Sequence, residues 1–338
     1  MRRPTIVDIA KAAGVSKGAV SYALNGRPGV SEATRQRILD IAGQLGWAPS
    51  SAARALSDGR ADAMGLVVDR PAAVLGNEPF FMQLISGIQS VLSGEAIPLL
   101  LQSSTDRELE MDIYRRWYAE RRVDGVIMVD LRHDDPRLAA INAMRMPAVI
   151  IGGPYETGGI PCVWSNDAKA MHDVVRHLAG LGHEYIARVA GPENLVHTTT
   201  RSEAFAETVS ELGLPDPEIV YTDYSGEQGA TVTRSLLSRE KPPTAIIFDN
   251  DLMAVAALGV AQEFGISVPE RLSVVAWDDS PLCRLVHPAL TTITRDIVEH
   301  GSTAATMLMD LAEGEEAHSR GTSPAQLVTR ASTGPAPR

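Results

Sequence analysis

Short apolar runs alternate with longer amphipathic segments from Met64 onward, and this alternation restricts the fold more than any other feature. Within each run the apolar residues are continuous, which indicates strands buried on both faces, as in a parallel sheet covered by helices. The predicted strands are MGLVV, IPLLLQ, DGVIMV, PAVIIG, YIARVAG, TAIIF and LSVVAW. The predicted helices between them cover residues 80–93, 107–122, 167–181, 201–213, 227–239 and 251–265.

The length of this α/β region indicates more than one sheet. Roughly 270 residues exceed one doubly wound sheet, so we expect two similar lobes, each built on its own parallel sheet. With 44% hydrophobic and 22% charged residues, the chain can bury a sizeable core. The last eight residues have the composition of a frayed end, and we expect residues 334–338 to form a disordered tail.

The first sixty residues predict an all-α unit instead. Capping residues at the starts of three short segments, and glycine or turn residues at their ends, indicate three helices. They begin after Thr5, Ser16 and Ser31 and end near Gly14, Leu24 and Gly46. A tight Ala-Gly-Val turn joins the first two, which is the arrangement of a helix-turn-helix. Other small helical cores share this spacing, so the pattern alone leaves the role of the unit open.

Charge is distributed unevenly along the chain. Residues 1–60 contain nine basic and four acidic residues, a net charge of +5, whereas the remaining 278 residues contain 22 basic and 38 acidic ones, a net charge of -16. A basic head on an acidic body is typical of a protein whose head contacts phosphates. Residues 50–58 are alanine-rich and favour a helix, but two turns are too few for a helix to be stable alone in water.

Several classes of protein are excluded by what the sequence lacks. The N-terminus has two arginines but no apolar signal segment, and no run approaches ~18 apolar residues, so we expect a cytoplasmic protein without membrane contact. Cys162 and Cys283 do not have metal-ligand spacing, and no GxSxG, HExxH, Walker or GxGxxG motif occurs. We therefore expect no catalytic residues, no metal site and no cofactor.

Nine segments between residues 5 and 333 follow one another in a characteristic order. Two lie in the head, TIVDIAKAAGVSKGAVSYALNG and VSEATRQRILDIAGQLGWAPSSAARAL. The others are NEPFF, VDGVI, LGHEYIARVAGP, NDLMAVAAL, GISVPERLSVVAWDDSPL, PALTTI and LVTRAST. In these segments the chain resembles the lactose-repressor/galactose-repressor (LacI/GalR) family of transcription regulators.

The resemblance implies a body like that of a periplasmic sugar-binding protein, with two lobes crossed by three strands and a ligand in the cleft. It also implies a repressor that binds a pseudo-palindromic operator in double-stranded DNA as a homodimer, under the allosteric control of a small-molecule effector, expected to be a sugar. A sugar-binding protein without a regulatory role is the alternative, but it would require export and would leave residues 1–60 without a function.

The resemblance also implies boundaries. Residues 1–48 correspond to the helix-turn-helix domain, 49–61 to a hinge helix and linker, and 62–333 to the effector-binding, dimerising core. Within the core we expect an N-lobe and a C-lobe. The N-lobe comprises about residues 62–162 and 294–322, and the C-lobe about residues 163–293 and 323–333.

The DNA-binding residues fall into three groups by the contact that the family resemblance implies. Lys17, Gly18 and Tyr22 start the second helix, where they would meet base edges in the major groove: Lys17 can donate to guanine, and Tyr22 can pack on a thymine methyl. Other candidates, several of them for phosphate contacts, are Thr5, Ser16, Ser21, Asn25, Ser31, Thr34 and Arg54. Ala53 and Leu56 belong to the hinge, where Leu56 would wedge into the central base step and Ala53 would permit close approach.

The effector-binding residues are expected in the cleft. Arg201 and Asp278 would bracket neighbouring ligand hydroxyls, since a guanidinium donates and a carboxylate accepts. Asn250 would add a polar contact, and Tyr224 would stack on the ligand ring. Phe80 or Phe81 would close the cleft from the other lobe. Purely structural roles are the alternative: Asp278 and Asp251 could be helix caps, Tyr224 a core aromatic and Arg201 a surface ion-pair partner.

Overall fold

The computed structural model describes residues 4–47, 60–70 and 75–338. The chain divides into two compact units, Met1–Ala61 and Asp62–Arg338. The described part of the first contains three helices, and the described part of the second is an α/β body with two six-stranded sheets. The predicted fold class, a helical head followed by a two-lobed α/β body, is therefore confirmed. Most of the expected hinge helix falls on residues 48–59, which lie outside the described residues.

The head consists of α1 (Ile6–Ala13), α2 (Lys17–Leu24) and α3 (Glu32–Gln44). Ser16 and Ser31 cap α2 and α3, because each hydroxyl accepts a hydrogen bond from the backbone N–H three residues further on, at 3.1 and 3.3 Å. Gly14 ends α1 at φ +67°, a left-handed conformation that glycine adopts without steric cost. The buried side chains come from all three helices: Ile9, Ala10, Ala13, Val20, Ala23, Ile38 and Ala42.

The strands of the body form two sheets of similar design. The first contains β1 (Met64–Asp69), β2 (Leu99–Ser104), β3 (Gly125–Met128), β4 (Ala148–Ile151), β5 (Cys162–Trp164) and β11 (Arg320–Gly321), in the order β11-β5-β4-β3-β1-β2. The second contains β6 (Ile186–Ala190), β7 (Glu218–Tyr221), β8 (Ala245–Phe248), β9 (Ser273–Trp277), β10 (Thr291–Thr294) and β12 (Gln326–Val328), in the order β12-β10-β9-β8-β6-β7. Only the pairing of β10 with β12 is antiparallel among these strands. The carboxyl ends of the parallel strands therefore meet at one edge of each sheet.

Helices cover both faces of the two sheets. Their bounds are α4 (Pro79–Leu92), α5 (Arg107–Ala119), α6 (Pro136–Met144), α7 (Asp167–Gly180), α8 (Val196–Glu211), α9 (Gly226–Leu237), α10 (Asp251–Glu263), α11 (Pro281–Leu285) and α12 (Ile297–Glu313). Every predicted helix and strand of the body occurs, although α8 begins five residues earlier than predicted. The helices α6, α11 and α12 and the strands β5, β7, β10, β11 and β12 were not predicted.

The backbones of α4 and α12 cross in close contact. A Cβ atom on Gly87 would lie 2.1 Å from the carbonyl oxygen of Val298, and one on Gly301 would lie 2.3 Å from that of Leu84. Only glycine permits this approach, because any other residue would force the helices apart. The crossing fixes the start of α12 against the middle of α4, and both helices contribute residues to the cleft between the lobes.

The chain passes between the two sheets three times, after β5, after β10 and between β11 and β12. Because β5 pairs within the first sheet as far as Trp164, that lobe extends two residues beyond the expected boundary at residue 162. The three crossings place the cleft between the carboxyl edges of the sheets, where ligands bind in open α/β folds.

The prediction of a disordered tail at residues 334–338 is wrong for Gly334 and Ala336, whose backbone groups are hydrogen-bonded. The Gly334 N–H donates to the hydroxyl of Ser273, and its carbonyl accepts a hydrogen bond from Nε2 of His183, both at 3.1 Å. The Ala336 N–H donates to the carbonyl of Leu181 at 2.9 Å. Composition suggested disorder at this end, but its backbone groups find partners on the second lobe, which outweighs the flexibility of the sequence.

Candidate functional site

The first turn of α2 presents an exposed face. Lys17 and Gly18 are exposed, and Tyr22, which lies four residues after Gly18 and hence on the same side of the helix, is 45% exposed. The ring of Tyr22 rests on Gly29, where a Cβ atom would lie 3.1 Å from Cδ2. Gly29 also has φ +121°, so only glycine fits comfortably. The three predicted base-reading residues thus share one surface, and the tyrosine ring is held in place on it.

The predicted phosphate contacts take part in local hydrogen bonds at the surface of the head. Besides the caps at Ser16 and Ser31, the Asn25 side-chain amide donates to the Ser21 hydroxyl at 3.4 Å. The Thr5 hydroxyl donates to the Asp8 carboxylate at 2.7 Å, and Thr34 pairs with the Ser31 hydroxyl at 2.9 Å. The capped helix starts keep backbone N–H groups available for an anion. Ala53, Arg54 and Leu56 lie outside the described residues.

The cleft of the body encloses a cavity of about 200 Å³ between the two sheet edges. All six predicted effector-binding residues line it, namely Phe80, Phe81, Arg201, Tyr224, Asn250 and Asp278. Phe80 and Phe81 come from the start of α4 in the first lobe, and the other four come from the second lobe. The structure therefore brings the predicted set to one place, where Arg201 and Asp278 each form an ion pair with another residue.

Arg201 is buried and pairs with Asp167 rather than with Asp278. Its Nε and Nη2 donate to Oδ2 of Asp167 at 2.8 and 2.6 Å, and its Nη1 lies 3.8 Å from Asp249. The guanidinium also lies 4.3 Å from the ring centroid of Trp277. Burial alone would lower the pKa of Arg201, but the two carboxylates outweigh it and raise that pKa. Asp167, at the start of α7, is therefore the ion-pair partner of Arg201, and the expected role of Arg201 and Asp278 in bracketing ligand hydroxyls stays a prediction.

Asp278 follows β9 and pairs with a residue that was not predicted, Arg295. The Nε and Nη2 of Arg295 donate to Oδ1 of Asp278 at 2.8 and 2.6 Å, and Nη1 lies 3.6 Å from Asp167. Arg295 sits in the crossing segment after β10, and its guanidinium lies 5.8 Å from the ring centroid of Phe80. It therefore contacts side chains of both lobes. Asp278 adopts φ +64°, so its backbone is in the left-handed region as it enters the cleft.

Tyr224 and Asn250 are held by contacts within the second lobe. The Tyr224 hydroxyl lies 2.7 Å from Nε2 of His197, and the ring covers Gly191, where a Cβ atom would overlap it at 2.0 Å. Asn250 caps α10, since its side-chain oxygen accepts from the Met253 N–H at 2.8 Å while its amide donates to the Tyr224 carbonyl at 2.9 Å. The residue that caps α10 is therefore Asn250. Both the oxygen and the amide nitrogen of its side chain are hydrogen-bonded within the protein.

An ion cluster that the sequence did not predict occupies the first-lobe wall. Arg70 lies 2.8 Å from Asp130 and 3.3 Å from Glu78, and its guanidinium faces the rings of Phe81 and Tyr224 at 5.7 and 5.4 Å. Burial raises the pKa of Glu78 to about 7, although Arg70 lowers it in part. This cluster makes the first-lobe wall polar behind its aromatic surface.

Most of the missed residues follow strands directly. Arg70 comes after β1, Asp130 two residues after β3, Asp249 after β8 and Arg295 after β10. Polar residues at the carboxyl ends of parallel strands converge on one edge, so this position was the signal that could have found them. Asp167 has no such signal, because it lies in the first turn of a helix.

Other kinds of site are not found in the described ranges. No helix there is long and apolar enough to cross a membrane. No group of three histidine, cysteine, aspartate or glutamate side chains there could hold a metal ion. Cys162 and Cys283 are both buried as free thiols.

Both the helical head and the α/β body are similar to known proteins. Residues 5–50 match the model for bacterial regulatory proteins of the lacI family, and residues 175–333 match that for a periplasmic binding protein-like domain. The HTH-type transcriptional regulator CelR of Thermobifida fusca is 31% identical over 97% of this chain and 96% of that protein. A structure of the lac repressor dimer bound to operator and the anti-inducer ONPF is 26% identical, with a TM-score of 0.84 over 98% of this chain and 100% of that one. A structure of a CelR–cellobiose complex is 28% identical, with a TM-score of 0.74 over the same shares of the two chains.

A helix-turn-helix head followed by a two-lobed body with a lined cleft defines the class of HTH-type transcriptional regulators. The similarity to CelR extends along nearly the whole of both chains. This chain belongs to the lacI family of bacterial regulatory proteins.

Proposed function

We propose that this chain is a repressor that binds a pseudo-palindromic operator as a homodimer, and that a sugar in the cleft controls its affinity for DNA. The observation that carries the proposal is the exposed recognition face of α2 in a chain whose body encloses a cavity between two lobes. The complexes of the lac repressor with operator and of CelR with cellobiose support it. The protein would act in the cytoplasm, and catalysis, a metal or a cofactor forms no part of this role.

Recognition of the base sequence of the operator would depend on the exposed face of α2. Lys17 can donate to O6 or N7 of guanine, and Tyr22 can contact a neighbouring base or methyl group. The hydroxyls and backbone N–H groups at Ser16 and Ser31 would set the register on phosphates. The net charge of +5 in residues 1–60 would attract DNA, whereas the acidic body would be repelled by it. The hinge at residues 49–61, with Leu56 as a wedge, would fold as the head docks.

Control by an effector would rest on contacts that join the two lobes at the cleft. The Val196 N–H donates to the Leu131 carbonyl at 2.9 Å, and Nε2 of His133 lies 2.8 Å from the Thr199 hydroxyl. Arg295 adds a third connection at the crossing segment. A ligand that binds one lobe geometry more tightly shifts the population toward it. The two hinges of a dimer would then move together or apart, and operator affinity would change by the coupling free energy, typically about 1–3 kcal/mol.

Dimerisation would use an apolar surface of the second lobe. Leu285 at the end of α11 is 79% exposed, and the adjoining groove is lined by Val255, Leu258 and Val286 among others. An exposed leucine beside a groove that is lined by both apolar and polar side chains is typical of a protein interface. A second copy of the chain is the proposed occupant, since the similar lac repressor structure is a dimer.

Binding of the full-length protein to a palindromic site from its own promoter region tests the proposal. Fluorescence anisotropy would measure affinity at several salt concentrations, first alone and then with cellobiose and other sugars. We expect specific binding that a sugar changes at least fivefold, and loss of specificity in Lys17→Ala. Affinity that is equal for the palindrome and a scrambled sequence would contradict the DNA-reading role.

The dimer is tested separately by light scattering after gel filtration. Leu285→Asp should yield monomers and weaken operator binding, because it places a charge in the proposed interface. Leu212→Asp is the matched control, since Leu212 is also exposed but lies at the end of α8, away from the groove. A dimer that survives Leu285→Asp unchanged would place the interface elsewhere.

A further inference from the structure

Among the cleft residues that the structure describes, no cation is free to receive an anion. Arg70, Arg201 and Arg295 are the arginines that line it, and each lies within 3.0 Å of a carboxylate. The two histidines of the lining, His197 and His300, have lowered pKa values, chiefly through burial, and that of His197 falls to about 4. Both are therefore neutral at physiological pH. No lysine is part of the lining that the structure describes.

Carboxylates outnumber guanidinium groups in this cleft by six to three. The six are Glu78, Asp130, Asp167, Asp249, Asp251 and Asp278. Burial, with a smaller contribution from Asp278, raises the pKa of Asp251 to about 6, although a hydrogen bond with Ser280 opposes the rise. Burial likewise raises the pKa of Glu78 to about 7. Burial is the main cause of both shifts, but neighbouring carboxylates add to each, Asp130 to that of Glu78 and Asp278 to that of Asp251, so the cavity disfavours additional negative charge.

Asp251 carries an acceptor that the protein itself does not use. Its side chain is 3% exposed and lines the cavity, yet its Oδ2 has no hydrogen-bond partner within the described part of the chain. A buried carboxylate oxygen without a partner is costly, and native structures rarely leave one unless a ligand or water completes it. Asp251 is the first residue of α10, directly after the capping Asn250, so its backbone position is fixed. A donor that enters the cavity would meet this oxygen.

We infer that the effector is a polyhydroxy ligand without negative charge, that it donates an O–H or N–H to Oδ2 of Asp251, and that phosphorylated and carboxylated sugars are excluded. This inference rests on the sugar effector of the proposed function and narrows its chemical class. A unit charge about 6 Å from one uncompensated charge, at an effective dielectric constant of about 20, changes binding on the order of 100-fold. An anionic ligand would also have to separate an arginine from its own carboxylate, which adds to that factor.

A matched ligand panel tests the inference on the unmodified full-length protein at pH 7.5. Each set contains one hexose or disaccharide with its amino, 6-phosphate and uronate forms: glucose, galactose, maltose and cellobiose give four sets. Thermal shift identifies binders, and calorimetry measures Kd. We expect the neutral or amino member of one set to bind, and its phosphate and uronate to bind at least 30-fold more weakly. If the amino form binds more tightly than its parent, the ligand is cationic; the reverse order identifies a neutral one.

Two outcomes overturn the inference, and they are distinguishable from one another. A phosphate or uronate that binds as tightly as its neutral parent overturns the charge exclusion but leaves the sugar-controlled repressor standing. A panel in which no sugar binds overturns the sugar effector itself, and the inference with it. Operator binding, measured in parallel, remains a separate test of DNA recognition.

The role of Asp251 is tested with the ligand that the panel identifies. Asp251→Asn removes the charged acceptor while keeping the shape, so Kd should rise on the order of 10- to 100-fold. Glu263→Gln is the control, because Glu263 ends the same helix at the exposed surface. The ligand-free Asp251→Asn protein should unfold at the same temperature as the unmodified protein or higher. An unchanged Kd in a folded variant would exclude Asp251 as the acceptor, and the panel tests the charge exclusion even if this variant does not fold.

Discussion

Replacing Arg295 by methionine should lower the free energy of unfolding of the body more than replacing its partner, Asp278, by asparagine does. The Arg295 side chain is 13% exposed and that of Asp278 is 10% exposed, with two N–O contacts of 2.8 and 2.6 Å between them. Methionine retains the apolar stem of arginine but removes its charge and its donors. Asp278 would then be buried without a cation, since Arg295 is its ion-pair partner among the described residues.

The magnitude follows from the degree of burial. Removing one member of a fully buried pair costs about 3–5 kcal/mol, whereas an exposed pair contributes about 0–1 kcal/mol. At about one-tenth exposure, Arg295→Met should cost about 2–3 kcal/mol in the free energy of unfolding. Asp278→Asn should cost about 1 kcal/mol, because Arg295 keeps Asp167 at 3.6 Å as a second anion. The cost of the double variant should fall short of the sum by about 1–2 kcal/mol.

Calorimetric unfolding of the full-length protein without ligand measures these differences. For a domain of this size, 1 kcal/mol lowers the melting temperature by about 2–4 °C, so Arg295→Met should lower it by about 4–12 °C. A second cycle, with Arg176→Met and Glu211→Gln, is the matched control. That pair has a similar N–O distance of 3.0 Å, but both side chains are about half exposed. Its coupling should stay below about 1 kcal/mol.

Two results would refute this reasoning. Equal coupling in the two cycles would mean that burial does not strengthen the Arg295–Asp278 pair. An Asp278→Asn variant that is less stable than Arg295→Met would mean that Asp167 does not act as the second anion. The first result would also weaken the view that Arg295 connects the lobes, because that role needs a pair that persists in solution.

Three further predictions concern DNA reading, helix packing and pH. Lys17→Ala should change base preference at one symmetric position of the operator and cost about 1–3 kcal/mol there; a uniform loss over all sequences in a binding-site selection would make it a phosphate contact. Gly301→Ala should lower the melting temperature by several degrees, since its Cβ would lie 2.3 Å from a carbonyl oxygen of α4, whereas Gly259→Ala, which has open space, should not. The raised pKa values of Glu78 and Asp251, about 7 and about 6, mean that the folded state holds these protons more tightly than the unfolded state, so stability should fall as the pH rises from about 4 to about 7. Asp251→Asn should remove up to about 3 kcal/mol of that fall, and an unchanged pH profile would contradict the burial of this carboxyl group.

Elements with strong local patterns could be predicted from the sequence, and those without them could not. The strand at 245–248 has the sequence AIIF and is continuous apolar, so it was predicted, whereas the strand at 291–294 has the sequence TTIT. Its three threonines read as polar, yet Thr291 and Thr292 are buried because neighbouring strands and helices cover them, and Thr294 is partly buried. The helix Ile297–Glu313 contains glycine and small residues that weaken its pattern, and these are the residues that permit its close packing on α4.

In the candidate site, the sequence could predict which residues lie in the cleft, but it could not predict which of them form ion pairs with one another. Arg201 and Asp278 could each be assigned to the cleft, because a residue that follows a strand, or matches a family position, is located by the backbone. Their pairing could not be assigned, since three arginines and six carboxylates converge on one cavity and differences of about 1 Å decide which of them meet. Such distances depend on helix starts such as that of Asp167, which no pattern in the sequence places against Arg201. The same limit explains why the unused oxygen of Asp251 emerged only from the structure: a carboxylate without a partner is recognised by what surrounds it, and Asp278 and Ser280 reach Asp251 from a distant segment of the chain.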